Sequence, residues 1–260
     1  MNILQEIAEC TKERVAAQKA ILPMDELMQM AQGAENAQFP FEEALRAGDI
    51  AFICEIKKAS PSKGVIAHNF PYTQIAKEYE DAGAAAISVL TEPFYFQGSD
   101  QYLREIAQTV SIPLLRKDFT VDGYMIYEAK ILGASAVLLI CAILDPDTLA
   151  EYIAIAHSIG LSALVEAHDE EEVAMALAAG ARVVGVNNRN LKTFDVDIGL
   201  SARLRPLVPP GVIFVAESGI KTPEDVDKMR KIGADAVLIG EAIMGSGDKP
   251  AMISHLRGLS

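Results

Sequence analysis

The segment AFICEIKKASPSKG, residues 51–64, begins as a buried β-strand that two charged residues interrupt, Glu55 and Lys57. Residues two apart in a strand point to the same face, so Ile53, Glu55 and Lys57 share one face and Cys54 points to the other. A buried carboxylate and a buried ammonium each cost several kcal/mol unless they are paired or hydrogen-bonded. We therefore expect this face to line a site, where such a pair can transfer protons.

Polar residues also stand at the ends of other apolar runs. Acidic, basic and amide side chains gathered around one cavity are suited to general acid–base catalysis. The opposite ends of the same runs are almost wholly apolar, so the polar residues are expected to meet on one rim. These residues are Thr91, Glu92, Lys117, Glu166, Asn187, Arg189, Glu217, Ser218, Gly240 and Glu241.

Two glycines indicate a phosphate site. Gly219 and Gly240 each stand directly after an apolar run and before a helical pattern. Unhindered backbone N–H groups at such a junction bind phosphate, and barrels often bind phosphate at the loops after their last two strands. The alternative is that both glycines serve only as turns, and their paired occurrence favours phosphate.

A repeat along the chain defines the elements that must position these residues. Four segments combine Gly-Ala with a short apolar run, which is typical of a strand buried on both faces, and four further runs lie between them. Eight strands alternating with helical patterns predict an α/β fold of the (β/α)8 barrel type. An open doubly wound sheet is the alternative, but no Gly-x-Gly-x-x-Gly opens a helix. The eight runs lie within 51–57, 82–90, 112–117, 132–140, 161–166, 179–187, 212–218 and 232–240.

The residues before the first strand lie outside the repeat. Residues 1–47 have patterns that predict two or three helices, over 2–20, about 25–31 and 39–49. So few residues could not build much core of their own. We therefore expect a single barrel domain over 1–260, on which residues 1–47 pack as an N-terminal helical extension.

Composition limits the class of protein. A chain of 260 residues, half of them hydrophobic, suits one α/β barrel, and a net charge of −13 argues against nucleic acid or an anionic membrane as the partner. The first residues carry charges throughout and form no apolar run, so we expect no signal peptide. No apolar stretch of about 20 residues, the length that crosses a bilayer, is found. Three widely spaced cysteines suit a reducing compartment, so we expect a cytoplasmic protein. The four histidines, which show no metal-ligand spacing and are interpreted as structural or solvated, are His68, His157, His168 and His255.

Six motifs, taken together, resemble the indole-3-glycerol-phosphate synthase family of tryptophan biosynthesis. They occur in family order along essentially the whole chain. The resemblance implies a (β/α)8 barrel whose N-terminal helices partly cover the mouth, and it implies no metal or organic cofactor. The motifs are CEIKKASPSKG (54–64), VLTEPFYFQGS (89–99), LLRKDF (114–119), LVEAHD (164–169), VGVNNRNL (184–191) and VAESGI (215–220).

The resemblance also implies a reaction and its catalytic residues. The family closes the indole ring of 1-(o-carboxyphenylamino)-1-deoxyribulose 5-phosphate with loss of CO2 and water. Lys117 is implied as the general acid for the condensation. For the dehydration the resemblance indicates Glu55, Lys57 and Glu166, and which of them gives or takes each proton stays open. The residues implied as catalytic are Glu55, Lys57, Lys117, Glu166, Asn187 and Ser218.

Further residues are implied to hold the substrate, a small sugar phosphate. The apolar group among them surrounds the aryl ring, Ser60 lies near its carboxylate, and Asn187 with Arg189 binds the sugar hydroxyls. Many relatives carry a hydroxyl beside the last glycine, where this chain has Glu241; the carboxylate of Glu241 would repel phosphate, so only its backbone N–H is expected to bind. The substrate-binding residues are Ser60, Phe96, Phe119, Leu138, Arg189, Gly219, Gly240 and Glu241, with Ser218 also at the phosphate end.

Two rival functions are weighed against this one. A barrel like phosphoribosylanthranilate isomerase shares the phosphate loops, but that family uses a cysteine of the first strand as base, and Cys54 is predicted to point away from the cavity. A non-catalytic binding barrel would be expected to lack at least one proton-transfer residue, and none is missing. Association with other tryptophan-pathway enzymes is a possible partnership, and the sequence does not predict the oligomeric state.

Overall fold

Eight parallel strands form a closed barrel in the computed structural model, which describes residues 3–33, 39–190 and 193–259. The strands pair in chain order, and the last closes on the first, with Ala51 opposite Ala236. The predicted (β/α)8 barrel is thereby confirmed, and an open sheet is excluded. The strands are β1 (Ala51–Ile56), β2 (Ala86–Leu90), β3 (Leu114–Lys117), β4 (Ala136–Ile140), β5 (Ser162–Ala167), β6 (Val183–Asn187), β7 (Ile213–Glu217) and β8 (Ala236–Ile239).

Helices surround the barrel and follow the predicted repeat. Gly83, Gly133, Gly180 and Gly233, which end the helix before a strand, all have positive φ, as the Gly-Ala repeat predicts. Thr222 caps α10 through a capping box, with Pro223 in the first turn. The helices are α1 (Ile3–Ile21), α2 (Met24–Gln32), α3 (Pro40–Arg46), α4 (Tyr72–Asp81), α5 (Asp100–Ala107), α6 (Gly123–Ile131), α7 (Pro146–Ser158), α8 (Glu170–Ala178), α9 (Gly199–Leu204), α10 (Pro223–Lys231), α11 (Glu241–Met244) and α12 (Lys249–Leu256).

Three helices precede the barrel, as predicted, and two of them pack against its interior residues. Leu4 and Ile7 of α1 and Phe41 and Leu45 of α3 belong to the same buried cluster as the inward side chains of the strands. Helix α2 packs on α6 outside the barrel. The third helix is shorter than the predicted 39–49, because the chain turns extended at its C-cap and then takes positive φ at a glycine.

The alternation along each strand separates two hydrophobic layers. Ile53, Leu138 and Leu238 face the barrel interior, whereas Cys54 and Ile56 face the helices. This alternation is the reason that Glu55 points into the barrel. Among the described residues, no helix is both long and apolar enough to cross a membrane.

Candidate active site

A cavity of about 1190 Å³, including its open mouth, lies at the carboxyl ends of the strands. Inward side chains at these ends are the usual source of active sites in such barrels. The cavity is also covered by α1, through Ile3, Leu4 and Ile7. All fourteen residues that the sequence predicts for the site line it: Glu55, Lys57, Ser60, Phe96, Lys117, Phe119, Leu138, Glu166, Asn187, Arg189, Ser218, Gly219, Gly240 and Glu241.

Glu55 and Lys57 form an ion pair on the cavity side of β1. The Lys57 ammonium donates to Glu55 Oε2, and both side chains are largely buried. A Cβ atom at Gly240 would collide with this carboxylate, so Gly240 provides the space in which Glu55 lies. Cys54 is buried among the helices, as predicted, and burial raises the pKa of its thiol to about 12 despite the nearby Arg257.

Lys117 lies among buried carboxylates. Its Nζ is 3.4 Å from Glu166 Oε2 and 3.9 Å from Glu217 Oε2. Burial lowers the pKa of Lys117, but the charges of Glu166, Glu217 and Glu55 outweigh it, so the net pKa is raised. Lys117 is therefore an ammonium at neutral pH and can act as an acid.

Glu166 and Glu217 differ in charge, although both are buried beside Lys117. Burial raises the pKa of each, but Lys117 and His168 bring the pKa of Glu166 below its usual range. Burial and the Glu166 charge raise the pKa of Glu217 to about 8, and its Oε1 has no hydrogen-bond partner. Glu166 is thus the carboxylate of the pair at neutral pH, and Glu217 is the carboxylic acid.

Two residues of this cluster, Glu217 and His168, are not among the predicted site residues. His168, which the sequence interprets as structural or solvated, is largely buried beside two carboxylates. Glu217 is one of the polar strand ends, and in the barrel it lies opposite Asn187 of the neighbouring strand β6. His168 follows β5 and lies behind Glu166, with Nε2 3.5 Å from Glu166 Oε1 and Nδ1 3.1 Å from Glu172 Oε2. Burial lowers the pKa of His168, but these carboxylates raise it overall.

Aromatic side chains form an apolar wall of the cavity. The rings of Phe96 and Phe119 lie 6.2 Å apart between centroids, at a tilt of 39°. Glu92 shapes the loop that carries Phe96, because its carboxylate accepts hydrogen bonds from the N–H groups of Phe94, Tyr95 and Phe96. Glu92 does not line the cavity, so its position at a strand end serves the loop.

Helix α1 is bound to Asp118, the residue that follows β3 and is next to Lys117 in the chain. Arg14 donates two hydrogen bonds to the Asp118 carboxylate, at 2.9 and 2.8 Å. Thr91 donates to the same carboxylate at 2.6 Å, and the Phe119 N–H does so at 2.8 Å. Thr91, like Glu92, therefore does not line the cavity, and its hydroxyl instead binds the Asp118 carboxylate. Asp118 forms its ion pair with Arg14 and not with the adjacent Lys117.

The loops after β6, β7 and β8 form the other end of the cavity. Ser218 and Gly219 are consecutive residues with positive φ, at 66° and 81°. Asn187 accepts a hydrogen bond from the Arg189 N–H at 3.0 Å. The Arg189 guanidinium lies 3.2 Å from the carboxylate of Glu241. This end is polar and rich in cations, in contrast to the aromatic wall.

Comparisons with known proteins identify the family of this chain. A sequence model of the indole-3-glycerol phosphate synthase family matches residues 4–256. The chain belongs to this family. It is 60% identical over 257 residues to the indole-3-glycerol phosphate synthase of Ruminiclostridium cellulolyticum, covering 98% of this chain and 99% of the relative. The enzyme of the same name from Endomicrobium trichonymphae is 52% identical, with the same shares covered.

Solved structures of low identity show the fold alone. A 3-hexulose-6-phosphate synthase from Salmonella typhimurium superposes with a TM-score of 0.66 at 16% identity, covering 81% of this chain and 98% of that one. A thiamine phosphate pyrophosphorylase from Pyrococcus furiosus gives 0.63 at 17% identity, over 83% and 96%. The family assignment therefore rests on sequence similarity, and the six motifs that indicated indole-3-glycerol phosphate synthase are confirmed in that respect.

Proposed function

We propose that this protein converts 1-(o-carboxyphenylamino)-1-deoxyribulose 5-phosphate to indole-3-glycerol phosphate, CO2 and water, as a carboxy-lyase of tryptophan biosynthesis. The observation that carries the proposal is the ammonium of Lys117, which lies 3.4 Å from Glu166 in the cavity of a member of this family. An isomerase of the phosphoribosylanthranilate type would need a cysteine base on the first strand that faces the cavity. Cys54 cannot be this base, because it is buried between the barrel and the outer helices.

The two ends of the cavity suit the two ends of the substrate. Phe96, Phe119 and Leu138 accept the aryl ring, and Ser60 lies close to its carboxylate. The polar end accepts the phosphate at the N–H groups of Ser218, Gly219 and Gly240. Asn187 and Arg189, between these ends, bind the sugar hydroxyls. Holding both ends brings the ring carbon to the sugar carbonyl, and such positioning supplies a large part of a catalysed rate.

Lys117 begins the reaction as general acid. The ring carbon that bears the carboxylate attacks the carbonyl, and the ammonium protonates the alkoxide that develops there. The carboxylate then leaves as CO2, and its electron pair restores the aromatic ring. The Glu166 carboxylate stabilises the ammonium before the transfer, since the two groups are adjacent. The Glu217 carboxylic acid, 3.9 Å from Lys117 Nζ, can return a proton to the lysine afterwards.

Dehydration completes the indole. One group must remove a proton from the carbon next to nitrogen, and another must protonate the departing hydroxide. Glu55 and Lys57 form a base and an acid side by side on β1, and we assign the step to this pair. The steps use only side chains of the protein. The cytoplasm as the place of the reaction, and association with other tryptophan-pathway enzymes, remain predictions.

The test is a turnover assay with the carboxyphenylamino-deoxyribulose phosphate as substrate. We expect indole fluorescence to appear together with one CO2 for each indole formed. An isomerised product without CO2 would show isomerase chemistry, and binding without any product would show a non-catalytic barrel. Either result would contradict the proposal.

A further inference from the structure

Three cations surround one carboxylate at the polar end of the cavity. Glu241 Oε2 lies 3.2 Å from Arg189 Nη2, and its Oε1 lies 3.4 Å from Lys63 Nζ and 3.7 Å from Lys221 Nζ. The cations come from the loops after β1, β6 and β7, and Glu241 follows β8. Four loops therefore converge on this carboxylate.

The Glu241 carboxylate is ionised at neutral pH. Partial burial alone would raise its pKa, but Lys221, Lys63 and Arg189 together bring the pKa below its usual value. With three positive charges and one negative charge, the cluster retains a formal surplus of two positive charges. This surplus attracts a phosphate dianion, although one carboxylate already contacts all three cations.

The carboxylate lies where the phosphate is proposed to bind. Glu241 lines the same cavity as Ser218, Gly219 and Gly240, and it is the residue directly after Gly240. A phosphate bound to those N–H groups would share Arg189 and the two lysines with a like charge. Neighbouring like charges raise the free energy of the bound state, less so where solvent screens them.

We propose that the Glu241 carboxylate is an internal competitor of the substrate phosphate, which lowers the affinity of the site for sugar phosphates. This inference rests on the proposed function and deepens it, because it assigns an affinity-determining residue to the phosphate end. Substrate and product carry the same phosphate group, so the carboxylate weakens the binding of both. Weaker product binding favours product release, which limits the turnover of many enzymes.

The test is the isosteric, uncharged variant Glu241→Gln, with inorganic phosphate as the probe. We expect the inhibition constant of phosphate, measured in competition with substrate, to fall about tenfold at low salt, and KM to fall with it. Uniform binding changes KM and leaves the chemical step unchanged. The difference between variant and wild type should shrink as salt is added, because salt screens partly exposed charges.

Glu151→Gln is the matched control, because it removes the same charge from an exposed position on α7. Its phosphate inhibition constant should equal that of the wild type. Glu241→Ala, which also removes the charge, gives the same readout should the glutamine variant fold poorly. If the wild type is active but the inhibition constant of phosphate is unchanged or raised in the Glu241 variants, the inference is overturned and the proposed function stands. If the wild type shows no turnover, the proposed function is overturned and the inference with it.

Discussion

Because Glu217 is buried, the ionisation of this one carboxyl group should make the free energy of unfolding of the whole protein depend on pH. Its pKa is raised to about 8 by burial and by Glu166, whereas an unfolded glutamate titrates near 4.3. The folded state therefore binds more protons than the unfolded state between these values, and the free energy of unfolding should fall as pH rises through this window. Above pH 8 the contribution is lost.

Replacing this residue gives the first prediction. Glu217→Gln keeps the neutral shape and cannot ionise, so its urea midpoint relative to wild type should rise between pH 5 and about pH 8 and level off above that pH. Glu151→Gln, at an exposed site, should show no such trend. Parallel pH profiles for Glu217→Gln and wild type would show that Glu217 is ionised in the folded protein at neutral pH.

A substitution at Gly240 tests whether the position of the Glu55 carboxylate, which lies where a Cβ atom of residue 240 would be, matters to catalysis. Its φ of −120° is open to any residue, so alanine there would be excluded by the Glu55 carboxylate and not by the backbone. We expect Gly240→Ala to displace Glu55 from Lys57 and to lower kcat by about tenfold or more, since a positioned acid or base contributes about 10²–10⁴ in rate. Steady-state kinetics measure this.

Gly247→Ala is the control for that substitution. A Cβ atom at Gly247 would have no heavy atom within 4 Å, so kcat should stay at the wild-type value. Equal kcat for both alanine variants would mean that the Glu55 position is not needed for turnover.

At the scale of elements, one buried ion pair, between Arg14 and Asp118, joins α1 to the residue that follows β3. Asp118 is fully buried, and Arg14 provides its only cation within hydrogen-bonding distance among the described residues. Arg14→Ala leaves the Asp118 carboxylate without this partner. Breaking a buried ion pair in this way lowers the free energy of unfolding by about 3–5 kcal/mol. Urea denaturation should show a loss of this order, and KM should rise because α1 covers the cavity.

Lys12→Ala on the same helix is the comparison. Lys12 pairs with Glu9 at 2.7 Å in solvent, and such pairs contribute about 0–1 kcal/mol. A similar small loss for Arg14→Ala would show that α1 is held by its apolar contacts with the barrel, through Leu4 and Ile7, and not by Arg14.

At the scale of the whole molecule, the sequence predicts the barrel and the cavity lining well, because both follow from short periodic patterns. The parity of β1 places Glu55 and Lys57 inside and Cys54 outside, and the Gly-Ala repeat predicts the ends of helices. Strand order then brings distant motifs to one rim. Each of these inferences needs only neighbours along the chain and the closure of the barrel.

The remaining features depend on distances that no local pattern contains. Lys63 and Lys221, on two different loops, reach Glu241 at the start of α11. The raised pKa of Glu217 comes from its burial in the barrel and from the charge of Glu166 on another strand. Thr91 and Glu92 share the strand-end signature, yet they bind Asp118 and the following loop. A polar residue at a strand end therefore predicts that its side chain has a polar partner. Whether that partner is a substrate or another residue of the protein depends on the folded structure.

The central claim is that Lys117, held as an ammonium among buried carboxylates, drives ring closure. The most direct test is kcat of Lys117→Met with the carboxyphenylamino-deoxyribulose phosphate, beside Lys231→Met, whose side chain is 74% exposed. We expect Lys117→Met to lose at least about 10²-fold in kcat while it still binds the substrate, and Lys231→Met to match the wild type. Turnover by Lys117→Met within a few-fold of wild type would contradict the account.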